Sequence, residues 1–267
     1  MVRLALGIEY DGSGFAGWQS QAHGNTVQDA LEKALAAVAG QPLRVTCAGR
    51  TDAGVHALCQ VVHFDCDVLR PETAWVRGVN ANLPPQVAVR WAKEVGPEFH
   101  ARFLARSRSY RYLLLNRSVR PALLAGRVGW FHQPLDIEAM RLAATCLLGE
   151  HDFSSFRAAE CQAKSPVKHL YRADIDAQGD CLVFDFRASA FLHHMIRNIV
   201  GSLVYIGKGK HPPEWMAELL ESRDRKLAAP TFAADGLYFG GAEYDAVWQL
   251  PDAGRIMTAD SILPVTP

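Results

Sequence analysis

The sequence predicts an α+β fold of two pseudo-related halves, each a mainly antiparallel sheet with helices on one face, with a basic cleft between them. Two observations carry this: short apolar runs bounded by Gly, Pro, Asn and Asp alternate with amphipathic segments of period 3.6, and the order strand, helix, strand, strand, helix, strand occurs twice. No sequence repeat accompanies the repeated order.

The first half opens with a strand-like run at 2–10 that ends in the turn-rich Asp11-Gly-Ser-Gly-Phe-Ala-Gly17. Thr26, with Asp29 three residues on, reads as the capping box of a helix whose Val27, Ala30, Leu31, Ala34, Leu35 and Val38 share one face; Gly40 and Pro42 end it. Strands follow at 43–48 and 58–66, joined by the loop Gly49-Arg-Thr-Asp-Ala-Gly-Val-His56. A helix at 74–80 and a strand at 86–94 complete the order. In the second half, 107–115 is a strand and 136–148 a helix. Segments 168–176 and 181–188 form a hairpin around Gln178-Gly-Asp180, 191–206 is an apolar helix, and 237–244 closes with a strand. The expected division is 1–105, 106–248 and a tail, 249–267, without an assigned role.

Composition bounds the function. The 267 residues are 49% hydrophobic and 21% charged, which suits a globular protein able to bury a core without disulfides. No run reaches the ~18 apolar residues of a membrane helix, and the N-terminus lacks a signal-peptide apolar region, so a cytoplasmic protein is expected. The six cysteines include no C-x-x-C pair and read as buried free thiols. Lys+Arg and Asp+Glu number 28 each, a neutral total that argues at first against a polyanionic partner. Distribution reverses that inference. From Phe99 to Leu135 there is no acid, while Arg102, Arg106, Arg108, Arg111, Arg117, Arg120 and Arg127 are interleaved with Phe99, Phe103, Tyr110, Tyr112, Trp130 and Phe131. Guanidinium forks grip phosphates and aromatic faces stack bases, so this stretch suits RNA.

Three motifs bear on chemistry. The loop at 49–54 sets Arg50, Thr51 and Asp52 between glycines, which fits either a turn aspartate bonded to its own backbone or a carboxylate held ionised and aimed. It is no P-loop, because Val55-His56 follows where Lys-Ser/Thr would stand. His193 and His194 are adjacent, and on a helix their rings diverge by about 100°, too far to share a metal. In the same helix Arg197 sits among apolar residues and needs an anionic partner, whether a structural salt bridge or a catalytic carboxylate.

Taken together, Tyr10-Asp-Gly-Ser-Gly-Phe-Ala-Gly-Trp-Gln-Ser-Gln21, Gly49-Arg-Thr-Asp-Ala-Gly-Val-His-Ala57, Phe99-His-Ala-Arg-Phe103, Ser109-Tyr-Arg-Tyr112, Phe191-Leu-His-His-Met-Ile-Arg-Asn-Ile-Val-Gly201 and Asp235-Gly-Leu-Tyr-Phe239 resemble the TruA family of tRNA pseudouridine synthases, in order from about residue 3 to 245. The resemblance implies that Asp52 is the essential aspartate, that Tyr110 packs on the target base, and that Arg197 pairs with the catalytic carboxylate. It implies that Arg50 contacts RNA beside the target. Phe99, His100, Ala101, Arg102 and Phe103, together with Arg111 and the stretch Glu160, Cys161, Gln162, Ala163 and Lys164, become expected RNA contacts. The family acts as a homodimer on tRNA, isomerises uridines 38, 39 and 40 of the anticodon stem-loop, and uses neither cofactor nor metal. Leu104 stands where a small polar residue is common in the family. The competing function is a non-catalytic RNA-binding protein or chaperone, for which an ionised Asp52 beside phosphates would only repel.

Overall fold

The computed structural model describes residues 1–251. The described chain divides into two compact units, one formed by residues 1–108 with 238–251, the other by 109–237. The expected tail assignment at 249–267 falls, past residue 251, outside the described residues.

In the first unit, strands β1 (Val2–Tyr10), β2 (Thr46–Cys47), β3 (His56–Cys66), β4 (Val87–Val95) and β10 (Leu237–Glu243) take the order β4-β1-β3-β10, with β2 on β3. β1 runs antiparallel to both β3 and β4, whereas β10 is parallel to β3, with Tyr238 opposite His56 and Phe239 opposite Ala57. This corrects the expected division. The last strand was assigned to the second half, but it rejoins the first sheet; periodicity identifies a strand and says nothing of its partner. Helices α1 (Val27–Ala39) and α2 (Glu72–Asn80) accompany this sheet. Thr26 caps α1 by accepting the Asp29 N–H, and Gly40 closes it at φ 73°. Gly7 is needed for a close approach: its partner in β4 is Trp91, and a Cβ would stand 2.1 Å from the indole nitrogen.

In the second unit, β5 (Ser107–Asn116), β6 (Gly129–Phe131), β7 (Gly149–Asp152), β8 (Val167–Gln178) and β9 (Cys181–Ala188) take the order β5-β9-β8-β7, with β6 on β5. Helices α3 (Ile137–Thr145), α4 (Met195–Gly207) and α5 (Trp215–Ser222) go with it. The predicted strand–helix order holds in the first half and, apart from its closing strand β10 and three short additions, in the second. The structure adds three short elements that periodicity does not signal, β6, β7 and α5, and α4 begins at Met195, four residues after the expected start at 191. His194 stands at φ 62°, immediately before the helix, and its ring lies 4.0 Å from that of His193. The two rings therefore do not diverge as they would within a helix. The thiol expectation needs narrowing too: all six cysteines are free, but Cys146 and Cys161 are only half-buried.

Candidate active site and RNA interface

Asp52 lies in the connection from β2 to β3, half-buried, between exposed Arg50 and Gly54 at φ 79°. The turn is closed by the Val55 N–H on the Asp52 backbone carbonyl at 3.2 Å. Several groups fix its path. Gln60 accepts the Gly49 N–H at 3.3 Å, and the Trp18 N–H donates to the Thr51 carbonyl at 2.9 Å. The Thr51 and Tyr10 hydroxyls bond at 2.8 Å, and burial pushes the Tyr10 phenol up, so it stays a neutral donor or acceptor. Arg108 donates to the carbonyl of Ala48 through Nε and Nη2, at 3.4 and 3.2 Å.

Gly12 and Gly17 find their reason here. A Cβ on Gly17, which sits at φ 96°, would meet the Thr51 carbonyl oxygen at 2.9 Å, and one on Gly12 would meet the Val55 oxygen at 2.0 Å. The turn after β1 is thus a buttress for the aspartate loop. Three glycines in six residues at a strand end were the available signal.

In the second unit Tyr110, on β5, is half-buried with its ring edge-to-face against Phe191 at 5.0 Å. Arg197, in the first turn of α4, is also half-buried, on a helix otherwise buried nearly all round. Its Nε donates to the Phe232 carbonyl at 2.8 Å, and the Phe232 N–H returns a bond to the Arg197 carbonyl at 3.2 Å. Next to it, fully buried Asn198 accepts from the Thr231 hydroxyl at 2.7 Å and donates to the Phe156 carbonyl at 2.8 Å. These bonds anchor the 231–232 segment to the helix and hold the guanidinium in one orientation.

The family model described as tRNA pseudouridine synthase matches residues 7–104 and 143–245, a span that includes the aspartate loop and the Arg197 helix. This chain belongs to the tRNA pseudouridine synthase family. It is 68% identical to the tRNA pseudouridine synthase A of Dechloromonas aromatica over 94% of this chain and 96% of the relative. It is 64% identical to that of Chromobacterium violaceum, covering 94% and 96%, and 63% identical to that of Methylobacillus flagellatus, covering 95% and 97%. Among solved structures, a chain of a Cbf5-Nop10-Gar1 complex is similar at TM-score 0.37 and 12% identity, over 88% of this chain and 48% of that one, too remote to inform the site.

For a tRNA pseudouridine synthase family member the arginine and aromatic stretch sorts in an instructive way. Phe103 is 73% exposed, stacks on His100 at 4.2 Å and has the Arg102 guanidinium 5.7 Å from its ring centroid. These three side chains form an outward platform of a kind that receives bases and phosphates. Phe99 and Ala101 are fully buried, so their expected RNA contact is corrected to a supporting role. Phe99 packs on Tyr244 and Trp248, and Ala101 donates its N–H to His63 Nδ1 at 3.2 Å and accepts from the Tyr244 hydroxyl. Burial, followed by the charges of His100 and Arg3, pushes the His63 pKa down to about 4, consistent with a neutral ring whose Nδ1 accepts.

Arg111 is corrected more sharply. It is buried and forks onto Asp185 at 2.7 and 2.8 Å, so its N–H edge serves the interior. Arg106 pairs with Asp245, while Arg102, Arg117, Arg120 and Arg127 are exposed. In the stretch 160–164, Glu160, Gln162 and Lys164 are exposed and Cys161 and Ala163 half-buried; Arg157 holds the Cys161 and Ala163 carbonyls at 2.7 and 2.9 Å.

Proposed function

We propose that this protein isomerises uridine to pseudouridine in tRNA, at positions 38, 39 and 40 of the anticodon stem-loop, with Asp52 as the catalytic carboxylate. The observation that carries this reading is the aspartate loop itself. A half-buried carboxylate stands there on a backbone path fixed from both sides, as a positioned catalytic group requires, and a passive RNA binder has no use for an anion facing phosphates. Arg197 is the basic partner of the catalytic carboxylate, and Tyr110 offers its ring to the flipped base. Arg50, exposed beside Asp52, contacts the RNA next to the target. The protein works as a homodimer in the cytoplasm; separately, none of the described helices is long and apolar enough to cross a membrane.

The reaction breaks the bond from N1 to C1′, rotates the base and joins C5 to C1′, and a proton leaves C5 at the end. The target base is first extruded from its stack at a cost of a few kcal/mol, which arginine contacts to phosphate and stacking on Tyr110 offset. Two routes use the same carboxylate. In one, Asp52 attacks C1′ or C6 as a nucleophile; in the other, it removes the proton from C2′ to give a glycal. Deuterium at C2′ separates them, because a primary isotope effect belongs to the second route alone.

Incubation with unmodified tRNA in EDTA without added cofactor, followed by mapping of pseudouridine, tests the assignment. Product at 38–40 is expected, and its absence refutes it. Asp52→Asn and Asp52→Ala are expected to abolish product while tRNA binding persists. Survival of a tenth of the wild-type rate would remove Asp52 from the chemistry.

A further inference from the structure

We propose that a basic cavity at the C-terminal end of α4, made entirely within residues 109–237, is a phosphate-binding subsite for the tRNA substrate. The cavity, of about 410 Å³, is walled by Tyr205, Lys210, His211, Trp215, Arg225 and Lys226 and floored by the segment 227–230. Among the described residues no acid lines it.

Its charge is uncompensated. Arg225 is half-buried, and its guanidinium donates only to neutral acceptors: Asn198 Oδ1 at 3.0 Å, the Thr231 hydroxyl at 3.1 Å and the Ala228 carbonyl at 3.4 Å. No carboxylate lies within ion-pairing distance of it among the described residues, and burial alone pushes its pKa down, which marks the cost of holding that cation without a counter-ion. Lys210 and Lys226 are exposed and lack an ion-pair partner among the described residues. Lys210 rests its ammonium 4.1 Å from the Tyr205 ring centroid. Asp224 gives its carboxylate to the Lys226 backbone N–H at 2.9 Å, and Glu218 acts on His211 from outside the lining.

The wall is flat as well as basic. His211 stacks on Trp215 at 3.9 Å and 12°, and Tyr205 lies within 15° of both planes at 6.4 Å. Two exposed ammoniums, one hydrogen-bonded guanidinium and a plane of parallel rings fit a phosphate carried beside a nucleobase, and the volume suits one nucleotide. The RNA phosphodiester is the source that the family's substrate provides, so the proposal rests on the function assigned above. A free mononucleotide has the same chemistry.

The test is the salt dependence of tRNA binding for the wild-type protein and the double variant Lys210→Gln with Lys226→Gln, between about 0.05 and 0.3 M KCl. Both side chains are exposed, so the fold is kept, which an unchanged melting temperature checks. The variant is expected to lower the slope of log K against log salt by about 1.5 and to weaken binding about tenfold near 0.15 M salt. An unchanged slope and affinity overturn the proposal. AMP titrated into both proteins distinguishes the sources: AMP binding lost in the variant while tRNA affinity and slope persist overturns the RNA assignment. Pseudouridine formation by the wild type is measured alongside, so that failure of the enzymatic reading shows there and failure of the subsite shows in the slope.

Discussion

Arg111→Ala is the perturbation that separates a structural arginine from an RNA-binding one. The guanidinium and the Asp185 carboxylate share two bonds, at 2.7 and 2.8 Å, and their side chains are 8% and 13% exposed. Truncating Arg111 leaves Asp185 charged in the interior. Among the described residues the remaining cation within ion-pairing distance, Arg172, stands at 4.0 Å with its Nε already on Asp174. Loss of one partner from a buried pair costs about 3 to 5 kcal/mol, and the swing of Arg172 toward Asp185 places this case near 3. In a chain of this size that lowers the melting temperature by about 6 to 12 °C. The double variant Arg111→Met with Asp185→Leu removes both charges and is expected to recover most of the loss, giving a coupling of about 2 kcal/mol in a double-mutant cycle measured by urea unfolding. The salt slope of tRNA binding stays at the wild-type value. A loss under about 1 kcal/mol, or a slope lower by about 0.7 to 0.9, would falsify the inward assignment and return Arg111 to the RNA interface.

Arg102→Ala is expected to do what Arg111→Ala does not, lowering the salt slope by just under one while leaving stability within about 0.5 kcal/mol; the converse outcome refutes the platform. Gly17→Ala places a Cβ 2.9 Å from the Thr51 carbonyl at a φ of 96°, so the aspartate loop must shift. Single-turnover isomerisation should fall at least tenfold with tRNA affinity retained, and a wild-type rate would show that the loop tolerates movement. Tyr110→Phe keeps the ring and is expected to be mild, whereas a loss of a hundredfold would show direct action of the hydroxyl. His63 links stability to pH. Its pKa is about 4 in the fold against about 6.5 unfolded, so above pH 6.5 neither state is protonated and its contribution is complete. Between pH 6.5 and 4 the unfolded chain gains a proton that the native one refuses, and stability falls. Urea midpoints across that range should drop less steeply in His63→Gln, and identical slopes would refute the linkage.

The order of the major elements and the loop that carries Asp52 are legible in the sequence, because both depend on local chemistry. Apolar periods of 2 and 3.6 identified the major strands and helices, Thr26 and Gly40 bounded α1, and glycines set off Arg-Thr-Asp. Only the tertiary structure decided which side of the protein each arginine and aromatic serves. Phe99 and Phe103 are four residues apart and chemically alike, yet one is core and the other 73% exposed. Arg102 and Arg111 differ in the same way, since Arg111 turns inward onto the Asp185 carboxylate. Asp185 and Gly236 lie far along the chain from the β5 residues they meet, and the partner of β10 is more distant still. Partners at such separations leave no trace in local periodicity. Composition therefore tells that charge and rings are present in a stretch, and packing decides which of them face outward.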